Sequence, residues 1–315
     1  MTIILKMTFS IGLVIILLFT SNVSNFINTI LNSDYRYFIL SVTVSFGSMF
    51  LATRRWQILL GRFNSNIDYF TLFHLIGLSY FYNFFIPGGV AGDLIRGIQC
   101  RKHKLSGTQG VVSVVVDRII GLGSFILVGI VGCFFSPDAL IAPFPGNWIW
   151  AVLASSVICA CVCFNRKLMR NFRIISRISP SVFEKLKLFY DSVYEYKNHG
   201  PIACRAMAVS LLTAFANIVS FYLLSRAAGS EVELMYFLIF VPVITVVSYV
   251  PISYSGLGVR ELCFVFFFGK VGMTTGQALA VPIMYFGMIL ILSLAGGLMF
   301  LISQHARTLC RLSSD

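Results

Sequence analysis

The chain has 315 residues, of which 57% are apolar and 11% charged, with a net charge of +12. Its apolar residues fall in blocks about as long as a bilayer's hydrocarbon is thick, which excludes a water-soluble globular domain and makes this an all-α polytopic membrane protein. The longest polar stretch, residues 165–202, leaves no room for a nucleotide or redox domain, and the eight cysteines follow no metal pattern, so no cofactor is expected.

The first block, residues 7–20, follows Lys6. It reads as a retained span, because no clean small-residue cleavage site follows it and more membrane blocks come after. Further blocks lie at 37–60, 69–86, 110–135, 148–164, 203–226, 234–250 and 276–303. Cys159, Cys161 and Cys163 alternate inside one of them as small hydrophobic filler. His74, alone in an apolar block, reads as a packing residue.

Basic residues lie mostly in the short connections between blocks, as the positive-inside rule requires, and this argues against a nucleic-acid partner. With the amino terminus inside, Arg54, Arg55 and Arg62 fall inside after two spans. If 69–86 then crossed fully, the cluster Arg101, Lys102 and Lys104 would lie outside. A re-entrant hairpin over 69–100, turning at Pro87 and the following glycines, returns that cluster inside. The basic region 165–202 is then a cytoplasmic loop, part of it an amphipathic helix on an anionic leaflet. The same difficulty recurs near 234–270 and is resolved by a second hairpin entering from the other side and broken at "PISYSGLGVRE". Of the 24 Lys and Arg, 18 then lie inside, three outside, and three (Arg96, Arg118, Arg260) within the membrane. Both termini are cytoplasmic on this reading.

The expected architecture is thus a single transmembrane domain over 1–315, with about six full spans and two broken re-entrant hairpins. Residues 1–135 form a first repeat and 148–303 a second, inverted one. Pro87, Gly92 and Arg96 each precede Pro251, Gly256 and Arg260 by 164 residues, so both breaks read P-x4-G-x3-R. Broken segments at matching positions of two halves point to a midplane substrate site in transporters.

Asp93, Asp117 and Glu261 lie in or beside apolar runs, each with an Arg within three positions. An ionised side chain at the bilayer centre costs about 2.5–3.5 kcal/mol on insertion scales, so such groups pair or line a wet cavity. Asp93 and Arg96 can pair across one helical turn, whereas Asp117 and Arg118 point about 100° apart, so one of them needs a partner elsewhere, expected on a hairpin. The same holds for Arg260 and Glu261. Helix starts after the glycine-rich turns attract anions. Together these features describe a buried polar pocket binding a phosphate group between Arg96 and Arg260, unless the pairs serve only as locks between helices. Asn83, Ser253 and Ser255 flank the breaks and are expected to hydrogen-bond freed carbonyls. No nucleophile, HExxH or Walker pattern is present, so an enzyme is not expected.

"NFFIPGGVAGDLIR", "VVVDRIIGL" and "PISYSGLGVRE", in this order, resemble the transmembrane region of lysylphosphatidylglycerol synthases and the stand-alone flippase-like proteins related to it. The resemblance implies a polar core of Asn83, Pro87, Gly88, Gly89, Gly92, Asp93, Arg96, Asp117, Arg118, Gly256, Gly258, Arg260 and Glu261, with Ala91 replacing one glycine of the pattern. The synthases carry an aminoacyl-transferase domain after this region. This chain stops at Asp315, so the aminoacylating activity is not carried over. What the resemblance implies is translocation of an anionic phospholipid or lipid-linked (polyprenyl-phosphate) saccharide between leaflets of the cell inner membrane. The alternative expectation is a non-transporting accessory subunit that partners an envelope glycosyltransferase or lipid-modifying enzyme.

Overall fold

The computed structural model describes residues 8, 12–13, 23–63, 65–86, 91–103, 105–135, 196, 199–249 and 256–312, with side chains as far as 302. Outside them lie most of the expected first span, the span at 148–164 with Cys159, Cys161 and Cys163, nearly all of the basic loop, and Pro87, Gly88, Gly89, Pro251, Ser253 and Ser255.

The described residues form helices and no strands: α1 (Val23–Leu31), α2 (Tyr35–Leu60), α3 (Tyr69–Phe85), α4 (Ala91–Gln99), α5 (Gly107–Phe135), α6 (Gly200–Ala227), α7 (Leu234–Ser248), α8 (Val259–Phe268) and α9 (Thr275–Leu312). Four stretches, Tyr35–Phe63, Gly107–Phe135, Gly200–Ala227 and Thr275–Ile302, are long and apolar enough to cross a membrane. Helices are the form apolar surroundings demand here, since each satisfies its own backbone groups. Their starts carry local signals. Asp34 caps α2 by accepting from the Arg36 N–H at 2.9 Å, and Asp68 caps α3 by accepting from Phe70 and Thr71. The short α1 was not foreseen in the sequence.

Both expected hairpins are present. α4 folds back along α3, because Gly92 lies so close to Ser79 that an added Cβ would sit 2.1 Å from the Ser79 carbonyl oxygen. Cys100, at the far end of the return, shares a buried cluster with Leu72, Leu75 and Ile76. α8 likewise folds back on α7: Gly256 abuts Ser248 at the turn, while the Phe237 and Phe268 rings meet at 4.5 Å near the base. Gly256 (φ +79°) and Gly258 (φ +87°) hold left-handed backbone that a side chain would strain, which explains the glycines of "GLG".

The two halves repeat each other in reverse. α6, α7, α8 and α9 start 165, 165, 168 and 168 residues after α2, α3, α4 and α5. α2 and α6 run antiparallel: Ser45 meets Ser220 at 2.8 Å near one end, and Arg55 meets Ser210 at 2.9 Å near the other. Each half also packs its last long helix on the other half's hairpin. Gly132 of α5 lies against Leu238 and Ile239 of α7, and Gly296 of α9 lies against Gly77 of α3. Added Cβ atoms would meet these neighbours at 3.2 Å and 2.5 Å, so small residues let the backbones approach.

Candidate functional site

The tips of the two hairpins converge at the middle of the long helices. Phe84, at the first tip, packs on Phe286 of α9 at 4.9 Å. Arg260, at the second, lies over the ring of the adjacent Tyr285 at 4.9 Å. On the opposite wall, Arg118 of α5 reaches both tips: it pairs with Asp93, and its guanidinium carbon lies 5.6 Å from the Tyr249 ring centre.

The first tip is a closed ionic network. Arg96 lies 2.9 Å from Asp93 Oδ1 and donates to Asp117 Oδ2 at 3.0 Å. The Arg96 Nε contact with Asp93 is one of charge rather than a directed hydrogen bond. Asp117 Oδ1 accepts from Arg55 at 2.6 Å, and Asp93 Oδ2 accepts from Arg118. Ser79 donates to Asp93 at 2.9 Å. Arg96 also lies 4.7 Å from the Trp56 ring centre, and Trp56 donates to Ser113 at 3.0 Å. Three guanidinium groups thus share two carboxylates, and only Arg118, with 27% of its side chain exposed, is partly open. The expected Asp93–Arg96 pair forms, and Asp117 and Arg118 each find their partner on the first hairpin.

Arg55 is the member of the network that the sequence reading did not place in the polar core. Charge parity counts it on the inner side with Arg54 and Arg62 and gives it no partner, whereas on α2 it joins the buried network through Asp117. Neighbouring helical positions point about 100° apart, so Arg54 is exposed while Arg55 faces Asp117 and Ser210. Two signals were available: two arginines directly after an apolar run, and an Asp117 without a local partner. Asn83 also differs from expectation. Its side-chain oxygen accepts the Gly92 N–H at 2.9 Å, so it satisfies a freed amide at the start of α4 rather than a freed carbonyl. His74 behaves as expected, with Nδ1 2.6 Å from the Phe70 carbonyl.

The second tip is open where the first is closed. Glu261 is buried, and its Oε2 accepts the Gly258 N–H at 2.5 Å, so the carboxylate caps its own helix. Its other oxygen is 3.8 Å from Arg260 Nε, too far for a hydrogen bond. Arg260 Nε and Ser248 Oγ are, like Arg96 Nε, buried without a hydrogen-bond partner, but among the described residues Arg260 has no carboxylate within 3.5 Å to stand in for one. The reason lies in the sequence. At the 164-residue spacing of the two break motifs, Asp93 corresponds to Leu257, and Asp117 and Arg118 correspond to Val281 and Pro282, so in that register Arg260 lacks both carboxylates that hold Arg96. The structure therefore divides the pair expected to share a phosphate: Arg96 is committed inside the protein, and Arg260 is not. Among the described residues, no group of His, Cys, Asp and Glu is arranged to hold a metal ion.

A family model described as the lysylphosphatidylglycerol synthase TM region matches residues 3–297. No curated protein and no solved structure matches the chain.

Proposed function

Taking as premise that this multi-pass membrane protein belongs to the family of the lysylphosphatidylglycerol synthase TM region, we propose that it translocates an anionic phospholipid or a polyprenyl-phosphate-linked saccharide between leaflets. The observation that carries this reading is the meeting of two oppositely directed broken hairpins at a charged region halfway along the long helices. Irregular backbone and charge are tolerated at such depth where they line a cavity or a substrate path. The charge distribution assigns the work. The network of Arg55, Asp93, Arg96, Asp117 and Arg118 is a rigid wall that fixes the first hairpin. Arg260 on the second hairpin receives the headgroup, while Glu261 holds the turn that presents it. The protein then acts by binding and alternating access rather than by catalysis, in the cell inner membrane with both termini cytoplasmic.

A leaflet-sidedness assay tests the reading. The chain is reconstituted into proteoliposomes carrying a labelled anionic phospholipid or a labelled polyprenyl-phosphate saccharide, and the outward-facing fraction is followed with time. Protein-dependent movement of one lipid, lost in Arg260→Gln, is expected. Movement no faster than in protein-free vesicles for either lipid would sink the proposal.

A further inference from the structure

α2 and α6 start 165 residues apart, so Ser45 of α2 corresponds to Ser210 of α6, and Arg55 to Ser220. The two contacts at their crossing, Ser45 with Ser220 at 2.8 Å and Arg55 with Ser210 at 2.9 Å, are therefore one contact seen from each half. Their chemistry differs.

At the Arg55 end, one residue of α6 is bound to three groups of the first half. Ser210 accepts from Arg55, and its hydroxyl lies 2.9 Å from Ser124 Oγ and 3.3 Å from the Ile120 carbonyl, both on α5. Asp117 holds the same guanidinium at 2.6 Å, so Arg55 cannot follow a departing α6. Parting here would strip a charged donor of its acceptor in the interior.

At the Ser45 end none of the bonds involves a charge. The Ser41 hydroxyl lies 3.1 Å from the Ser220 carbonyl and 3.4 Å from Met288 Sδ, and Ser45 donates to the same sulfur, a weak acceptor, at 3.1 Å. A helical hydroxyl also has a second option, the carbonyl three or four residues back, which Thr43 and Ser48 of α2 already use. Ser220 and Met288 belong to one unit, because Phe221 of α6 stacks on Tyr285 of α9 at 4.1 Å. A surface able to part thus runs between Ser41 and Ser45 on one side and Ser220 and Met288 on the other, and opening it strands no charged donor.

Building on the alternating access proposed above, we infer that the two halves rock about the Arg55–Ser210 contact, which stays made, and part at the Ser45–Ser220 contact. The pivot is tied to the first hairpin, since Asp117 binds both Arg55 and Arg96. The parting end is tied to the second, since Tyr285, one turn before Met288, lies against Arg260. The locked hairpin therefore stays with the pivot while the other moves.

The test reads the motion separately from transport. Single cysteines replace Ser45, Ser220, Ser124 or Ser210 in the full chain in liposomes. Their reaction with a small water-soluble maleimide is followed peptide by peptide by mass spectrometry, with the exposed Cys204 and the buried Cys133 as fast and slow references. Ser45→Cys and Ser220→Cys are expected to react about tenfold faster than Ser124→Cys and Ser210→Cys. Ser124→Cys reacting as fast as Ser45→Cys overturns the inference, as does Ser45→Cys reacting no faster than Cys133. Should Ser45→Cys not fold, Ser41→Cys decides in its place.

The same substitutions in pairs form disulfides, the serine oxygens lying 2.8 and 2.9 Å apart. A bridge between Ser45→Cys and Ser220→Cys should slow lipid movement about tenfold in the leaflet-sidedness assay and be reversed by reduction, while one between Ser124→Cys and Ser210→Cys leaves the rate unchanged. Equal slowing by both bridges overturns the pivot. Should the parent chain move neither lipid while the labelling rates differ as expected, the rocking stands and the translocation reading alone falls.

Discussion

Arg96 and Arg260 occupy the same place in two copies of one motif, 164 residues apart, yet only Arg96 is held by two carboxylates. The backbone repeats, with helix starts recurring at nearly constant spacing and each long helix crossing to the other half's hairpin. The charges do not repeat. In the 164-residue register of the break motifs, Val281 and Pro282 stand where Asp117 and Arg118 would be, and one turn further on Tyr285 faces Arg260. A duplicated scaffold thus yields one hairpin that is locked and one that has binding capacity to spare.

The comparison breaks most visibly at the carboxylates. Asp117→Asn removes the group shared by Arg55 and Arg96 and leaves both guanidiniums buried with too little negative charge. It should cost about 3–5 kcal/mol, read as a large fall in the thermal midpoint in detergent. Glu261→Gln at the open tip loses only a charged helix cap and should cost about 0.5–2 kcal/mol. Equal losses in the two variants would remove the distinction between a locked and an open tip.

A smaller effect is expected at the turns. Gly92→Ala places a Cβ 2.1 Å from the Ser79 carbonyl oxygen, so the first hairpin must splay, at about 1–3 kcal/mol. Gly256→Ala meets softer neighbours, the nearest being Ser248 Cβ at 3.1 Å, but strains left-handed backbone at about 1–2 kcal/mol. Thermal melting of the pair, combined with cysteine cross-linking of each hairpin's limbs, distinguishes close approach from strain: only Gly92→Ala should lower cross-linking efficiency.

Ser210→Ala removes the hydroxyl that accepts from Arg55 across the two halves and should cost about 1 kcal/mol, with transport retained. The smallest stability effect belongs to Arg260→Gln, within about 0.5 kcal/mol, because that guanidinium's Nε makes no hydrogen bond to lose. Its transport should nonetheless fall about tenfold or more in the leaflet-sidedness assay. A variant that melts early and still transports would reverse the roles given to the two arginines.

Much of the fold was legible in the sequence. Apolar block lengths located α2, α3, α5, α6, α7 and the membrane part of α9, and charge parity alone required both hairpins. Charge parity works because bilayer insertion sorts Lys and Arg by side, a property of composition and order alone. It did not single out Arg55, since it counts charges per side of the membrane and has no means of telling which side of a helix a residue faces. The amphipathic α1 escaped because it is short and borders no charge cluster. At the site, Asp93, Arg96, Asp117, Arg118, Arg260 and Glu261 stood out as charges in apolar runs, whereas Ser79, Trp56, Ser248 and Tyr285 did not, being ordinary residues in a membrane helix.

By itself the sequence determined that the chain is a helical membrane protein with two matched breaks, and which ionisable groups must find partners at depth, because hydrocarbon penalises every unpaired charge and every unsatisfied backbone group regardless of fold. Which group paired with which was decided only by the tertiary structure. The partners lie on different helices, as Arg55 on α2 and Asp117 on α5 do, and their meeting depends on the antiparallel packing of two halves rather than on any local pattern.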